Sequence, residues 1–125
     1  MSFISKRDYT CYKRYCKTLR LEDDPQLIKE YKKVHMPDNT WPEITQGMIE
    51  VGILDMEIYI MGNRLFMIMD TIAEFDHDRD MAELANKPRQ SEWEAFVSRF
   101  QKTSVEATAD EKWQLMDRIY KLERG

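Results

Sequence analysis

A tyrosine and a histidine one helical turn apart are the side chains of this sequence that most directly suggest proton-transfer chemistry. Tyr31 and His35 continue an apolar pattern, begun by Leu27 and Ile28, that recurs at helical spacing. They should therefore share the inward-facing side of a helix. A histidine near its ordinary pKa can donate or accept a proton at neutral pH. The alternative is a structural His35, whose ring caps the helix by bonding a backbone carbonyl.

Three tryptophans, Trp41, Trp93 and Trp113, could stack on the apolar face of a sugar ring or fill the core. Trp93 is the best binding candidate, because the adjacent Glu92 could accept a hydrogen bond from a sugar hydroxyl. Packing in the core is the commoner use of such large side chains, and residue type alone favours it for all three.

A further candidate pair is predicted on one strand, where polar and apolar residues alternate. Glu57 and Tyr59 should lie on one face of this strand, and Met56 and Ile58 on the other. The carboxylate and the phenol could line a cleft, or they could simply face solvent.

The acidic run at residues 76–80 (DHDRD) resembles a metal site at first sight. Consecutive residues cannot all point at one ion, however, and acidic side chains at the start of a helix are expected from its dipole. The sequence has no Cys/His cluster with metal-ligand spacing and no glycine-rich phosphate loop. We therefore expect no metal and no cofactor, and we interpret His77 as a surface residue.

Composition restricts the class of protein. With 125 residues, of which 42% are apolar, the chain is long enough for one domain, which we place at residues 12–125 after a tail of residues 1–11. A net charge of −4 argues against nucleic-acid binding. No apolar run approaches the roughly 18 residues that cross a bilayer, so we expect no membrane association. Two unpaired cysteines and the lack of a secretory signal indicate the cytoplasm.

The order of the predicted elements indicates the fold. The first half has a strand over residues 12–21, a helix from residue 25 that Pro37 ends at or before residue 36, and a helix over 41–52. A hairpin of 56–60 and 65–69 follows, then helices over 76–85 and from 88. The last element is a strand within 113–122, where residues 119–122 have the strongest strand character. This order is that of an α+β, ferredoxin-like split βαβ fold of the dimeric α/β-barrel type, with helices on one face of an antiparallel sheet. The uncovered sheet face predicts a homodimer.

Several short motifs together resemble the L-rhamnose mutarotase family. Residues 30–35 (EYKKVH) and 41–43 (WPE) are similar to the E-Y-x-x-x-H and W-P-E signature of that family. The likeness continues through Gly52, residues 57–60 (EIYI) and Leu65-Phe66, and resumes at residues 90–93. It covers most of the chain from about residue 15 to residue 122.

The resemblance implies a dimeric ferredoxin-like fold and cofactor-free interconversion of the α and β anomers of a 6-deoxy sugar. It implies that His35 is the proton donor and that Tyr31 binds the sugar. Trp93 matches the second of two adjacent sugar-binding tryptophans.

Three departures from the family pattern concern the predicted site. Five residues, 36–40, separate His35 from W-P-E where the family usually has three. Met56 replaces a sugar-contacting tyrosine, and Glu92 replaces the first tryptophan. Residues 56–59, 62–66 and 92–93 are similar to a subgroup associated with L-fucose. We therefore expect L-rhamnose or L-fucose as the substrate.

Two other classes of function are compatible with the same fold. One is a ligand-binding or regulatory dimer without catalytic activity, and the other is a cofactor-free oxygenase, because fold alone does not define function. For the mutarotase we expect His35 and Tyr31 to be catalytic. We expect the substrate-binding residues to be Trp93, Glu92, Met56, Glu57, Tyr59 and Trp41, with either glutamate as a further acid or base.

Overall fold

The computed structural model describes residues 2–3, 11–102 and 108–124 as four strands, five α-helices and a short 3₁₀ turn at Pro37–Asn39. The strands are β1 (Tyr12–Arg20), β2 (Ile53–Met61), β3 (Arg64–Ile72) and β4 (Gln114–Met116). The helices are α1 (Pro25–Val34), α2 (Pro42–Val51), α3 (His77–Ala85), α4 (Gln90–Ser98) and α5 (Ala109–Lys112).

The four strands form one antiparallel sheet in the order β2-β3-β1-β4, which confirms the predicted fold class. β3 pairs with β1 on one side and β2 on the other, so the fully apolar run at residues 65–69 is a central strand, as its composition predicts. At the middle of β1, Lys17 lies opposite Met67 of β3 and Leu115 of β4.

Local signals place the ends of α1 and α2. Asp24 caps α1 by accepting hydrogen bonds from the backbone N–H groups of the next turn, and Pro25 occupies the first helical position. α1 ends at Val34, as the predicted limit at or before Met36 allows, with His35 as its C-cap. Gly52 ends α2 with φ of 103°, a left-handed conformation that glycine adopts without strain.

The two faces of the sheet have different environments. Tyr15, Leu19, Met67 and Met69 point towards the helices and form the core with residues of α1–α4. The opposite face carries more polar side chains, including Arg14, whose guanidinium pairs with the buried Asp70 carboxylate at 2.8 Å. The apolar alternation of the strands therefore selects the face that binds the helices.

The C-terminal part of the chain differs from the prediction. β4 does lie within residues 113–122, but it contains only Gln114–Met116. The expected strand character of residues 119–122 is wrong, since these residues are in no strand and Ile119 is 95% exposed. β-branched and aromatic residues favour a strand only where a neighbouring edge pairs with them.

Two further expectations concern regions that are only partly described. Of the polar connection expected at residues 103–110, residues 103–107 lie outside the described part, and the short helix α5 begins at Ala109. Most of the proposed tail, residues 4–10, also lies outside it. Among the described residues, no helix combines the length and the apolar character needed to span a bilayer.

Candidate active site

A cavity of about 150 Å³ lies between the helix-bound face of the sheet and the helices. Its wall is mostly apolar, with Met56, Met67 and Met69 from the strands and Met48 from α2. A smaller number of polar side chains contribute to the same wall, namely Lys17, Tyr31, His35, Thr40, Thr45, Gln90, Glu94 and Gln101. An apolar cavity with a few convergent polar groups is the usual form of a small-molecule site.

The end of α1 holds His35 in a defined tautomer. Its Nδ1 lies 2.8 Å from the backbone carbonyl oxygen of Tyr31, four residues earlier. Because a carbonyl only accepts hydrogen bonds, Nδ1 carries the proton and Nε2 is the ring nitrogen available to accept another. Burial lowers the pKa of His35 below its ordinary value, opposed by the bond to the Tyr31 carbonyl. His35 is therefore suited to act as a neutral base at physiological pH.

Tyr31 lies directly beside His35, with ring centroids 4.4 Å apart, and is only 4% exposed. Its phenol oxygen accepts a hydrogen bond from Gln101 Nε2 at 3.4 Å. Burial raises the pKa of Tyr31 above its ordinary value, so the phenol stays protonated at neutral pH. Tyr31 can donate a hydrogen bond and orient a ligand, but it is not set up as a base.

Two tryptophans extend the aromatic wall from His35. The ring centroid of Trp93 lies 5.6 Å from that of His35, and Trp41 follows at 5.1 Å from Trp93. Trp41 stands just before the first residue of α2, and Trp93 faces inward from α4. The guanidinium of Arg89 covers the Trp41 ring at 4.3 Å, which holds this part of the wall from outside.

A buried carboxylate network forms another part of the wall. Glu94 Oε2 pairs with Lys112 Nζ at 2.9 Å, and its Oε1 accepts a hydrogen bond from Gln90 Nε2 at 3.0 Å. Lys112 also donates to the backbone oxygen of Glu94 at 2.7 Å. Burial raises the pKa of Glu94, although Lys112 and Gln90 favour its ionised form.

Two buried amide oxygens in this wall lack a hydrogen-bond partner among the described residues. They are Oε1 of Gln90 and Oε1 of Gln101, whose side chains are 2% and 4% exposed. Buried polar atoms are nearly always satisfied in folded proteins, and an orphan acceptor carries a cost of about 1–3 kcal/mol. Both side chains line the cavity.

Five of the eight residues predicted for the site line this cavity: His35, Tyr31, Trp41, Trp93 and Met56. The other three do not. Glu57 and Tyr59 lie on the opposite sheet face, where the tyrosine hydroxyl donates to the carboxylate. Glu92 is on the surface and pairs with Arg89 at 2.8 Å. The helical step of about 100° per residue places Glu92 on the exposed side of α4, whereas Trp93 and Glu94 face the cavity.

The residues that the sequence analysis missed are Lys17, Gln90, Glu94 and Gln101. Strand alternation could have identified Lys17, because it shares its face with Tyr15 and Leu19. The others come from segments that meet only after the helices pack.

The acidic run at residues 76–80 serves the start of α3. Asp76 caps the helix by accepting from the Arg79 backbone N–H at 3.0 Å, and Asp80 pairs with the Arg79 guanidinium at 3.0 Å. The ring of His77 packs on Tyr15 at 5.0 Å, and its side chain is 17% exposed, so it is more buried than a surface residue. Across the described ranges, no group of three or more His, Cys, Asp or Glu side chains is arranged to hold a metal.

The fold and the cavity together define an α+β protein of the ferredoxin-like class with a small-molecule site. The model of the L-rhamnose mutarotase family matches residues 14–122. The chain therefore belongs to the L-rhamnose mutarotase family, whose members are isomerases that interconvert sugar anomers.

Individual relatives are similar over most of the chain. An L-fucose mutarotase of Xanthomonas campestris pv. campestris is 38% identical over 109 residues, which are 87% of each chain. A UPF0734 protein of Dictyostelium discoideum is 34% identical over 116 residues, covering 90% of this chain and 91% of that one. The crystal structure of an L-rhamnose mutarotase from Formosa agariphila matches the fold with a TM-score of 0.67 at 19% identity, covering 89% of this chain and 99% of that one.

Proposed function

We propose that this cavity binds a 6-deoxy-L-hexose, L-fucose in preference to L-rhamnose, and that His35 exchanges protons with it. The observation that carries the proposal is that His35 lines the cavity while its Nδ1 lies 2.8 Å from the Tyr31 carbonyl oxygen, which assigns the proton to Nδ1 and leaves Nε2 as the acceptor. The preference for L-fucose rests on the 38% identical relative that is named as an L-fucose mutarotase.

The reaction needs only proton transfers. His35 Nε2 accepts the proton of the anomeric hydroxyl while an acid protonates the ring oxygen, and the C1–O5 bond breaks to give the open aldehyde. Rotation about C1–C2 and ring closure, with both protons returned, form the other anomer. Because the free sugar already reacts slowly in water, positioned acid–base groups that supply a factor of about 10²–10⁴ suffice.

The cavity wall suits such a sugar. The free amide oxygens of Gln90 and Gln101 accept hydrogen bonds from ring hydroxyls, which satisfies two otherwise costly buried acceptors. The rings of Trp93 and Trp41 offer a stacking surface for the C–H face of the sugar. Met56 provides an apolar contact for the 6-methyl group.

This wall revises the predicted set of binding residues. Glu57, Tyr59 and Glu92 have no part in the proposed site, because they lie away from the cavity. Glu94, two residues after Glu92, is the carboxylate that lines it.

We further propose that the protein acts as a homodimer, joined through the sheet face opposite the helices. Phe66, Ile68 and Met116 lie on this face at intermediate exposure, and all described helices with core contacts pack on the other face. A stable interface of this kind buries more than about 1,000 Å² in total. Light scattering at micromolar concentration should give twice the chain mass, and a monomer would contradict this assembly.

Two more expectations remain proposals. We place residues 12–125 in one domain. We also place the protein in the cytoplasm, which is supported by Cys11 and Cys16 being free thiols.

Saturation-transfer NMR of the anomeric protons tests the activity directly. The protein should speed saturation transfer between the α and β signals of L-fucose. Transfer between the two L-rhamnose signals should also be faster than without protein, but slower than for L-fucose. L-Galactose, which has the fucose stereochemistry with a 6-hydroxyl group, is the matched control. It should exchange at least about tenfold more slowly if the methyl group has an apolar contact.

The same experiment separates the competing functions. Binding of the sugars without faster exchange would favour a regulatory protein. Oxygen uptake with an aromatic substrate, with no exchange of any sugar, would favour an oxygenase.

A further inference from the structure

A buried lysine on the central part of the sheet has no role in the site described so far. Lys17 is 1% exposed and points from β1 towards the helices, where it lines the same cavity as His35. Among the described residues, no acceptor forms a hydrogen bond with its ammonium group. Fully buried lysines are rare unless paired, because removing the charge from water is costly.

The charged and titratable groups around Lys17 come from four helices. Tyr31 and His35 face the cavity from α1, and Glu94 faces it from α4. Asp110 of α5 acts on Lys17 electrostatically, and His77 of α3 lies 3.8 Å from Asp110. Lys112 of α5 is occupied by Glu94.

Within the described part of the chain, none of these neighbours forms an ion pair with Lys17. Burial lowers the pKa of Lys17 to about 8, only partly opposed by Asp110. At neutral pH the group is thus mostly an ammonium that gives up its proton far more easily than an ordinary lysine.

We propose that Lys17 is the acid that works opposite His35, donating a proton to the ring oxygen of the sugar. The inference rests on the proposed function and supplies the second proton-transfer group that ring opening requires. In a cavity for a neutral sugar, a buried ammonium that has no ion-pair partner among the described residues is otherwise only a cost to folding.

The proton balance closes within the cavity. The lysine N–H proton moves to O5 as the C1–O5 bond breaks, and His35 Nε2 takes the anomeric O–H proton. Lys17 is then a neutral amine, His35 an imidazolium, and the sugar an aldehyde. On closure, O5 attacks C1 from the other face, the amine recovers its proton from O5, and the imidazolium returns its proton to O1.

Lys17→Met tests this role, with Lys13→Met as the matched control. Lys13 lies on the same face of β1, but it is exposed and donates to the backbone oxygen of Phe75 at 2.7 Å, outside the cavity. Lys17→Met should lower the maximal exchange rate of L-fucose about 100-fold with little change in KM, while the control keeps the wild-type rate. The Tm of Lys17→Met should be unchanged or higher, since the substitution removes a buried charge that no described residue pairs with.

The pH profile separates catalysis from packing. Wild-type exchange should decline on the alkaline side with a midpoint near pH 8, and this decline should vanish in Lys17→Met. A wild-type rate in Lys17→Met, or a slower variant that keeps the alkaline decline, would overturn the role. If Lys17→Met does not fold, Lys17→Gln is used instead. A wild-type exchange rate that stays constant through pH 8–9 would also overturn the role of Lys17 as the acid. Absence of exchange in the wild type with every sugar would instead refute the proposed function.

Discussion

Replacement of His35 by asparagine should remove proton exchange at this position while it keeps the local structure. The asparagine amide N–H can reach the position of Nδ1 and donate to the Tyr31 carbonyl, which His35 contacts at 2.8 Å. The helix end therefore keeps its cap, and the wall keeps a polar group of similar size. What is lost is Nε2, the nitrogen that exchanges the proton.

The expected loss of rate follows from the usual contribution of one acid–base group. A factor of about 10²–10⁴ corresponds to about 2.7–5.4 kcal/mol in activation free energy. Because the amide retains the bond to Tyr31, the free energy of unfolding near pH 7 should change by less than about 1 kcal/mol. KM for the sugar should stay within a few-fold of the wild type.

Saturation-transfer NMR with L-fucose measures the rate, and a urea titration measures stability. His77→Asn is the control, since His77 packs on Tyr15 at the start of α3 and does not line the cavity. In the wild type, exchange should decline at acid pH with a midpoint below 6.5, because burial lowers the pKa of His35. A folded His35→Asn protein that binds the sugar and exchanges anomers at the wild-type rate would refute the reasoning. Glu94 would then be the next candidate.

Three other outcomes are expected. The pKa of His35 in the folded state lies below its unfolded value, so the folded state binds fewer protons as the pH falls. Between pH 7 and 5.5, the free energy of unfolding of the wild type should therefore fall more than that of His35→Asn. An equal fall in both proteins, measured by urea titration, would contradict this. Gly52→Ala should lower stability by about 1–2 kcal/mol or more, since a Cβ at φ of 103° would lie 2.9 Å from the Ile72 side chain, and an unchanged Tm would show that α2 ends differently. Exchange should survive exhaustive EDTA treatment, whereas loss of activity that one metal restores would mean that the acidic run at residues 76–80 binds an ion.

Much of the scaffold follows from local sequence alone. Asp24 and Pro25 start α1, Gly52 stops α2, and a turn at residues 62–63 joins the two hairpin strands. These features depend on backbone conformations and hydrogen bonds within a few residues, which a sequence pattern can report directly. The same locality brings Tyr31 and His35 together, because one helical turn separates them.

Tertiary packing decided which polar side chains surround that pair. Glu92 and Glu94 both stand beside Trp93 in the sequence, but the orientation of α4 buries Glu94 and leaves Glu92 paired with Arg89 on the surface. Gln101, seventy positions after Tyr31, reaches its phenol only once the chain is folded. No pattern within a short segment carries these contacts.

Tertiary packing also decided which face of the sheet the helices cover. Alternation along β2 separates Glu57 from Met56, but it does not state which of the two faces the helices cover. The helices bury the more apolar face, since removing that surface from water contributes most of the favourable free energy of folding. That choice carried Lys17 into the cavity and left Glu57 and Tyr59 outside it, because a side chain's neighbours depend on the packing of distant segments.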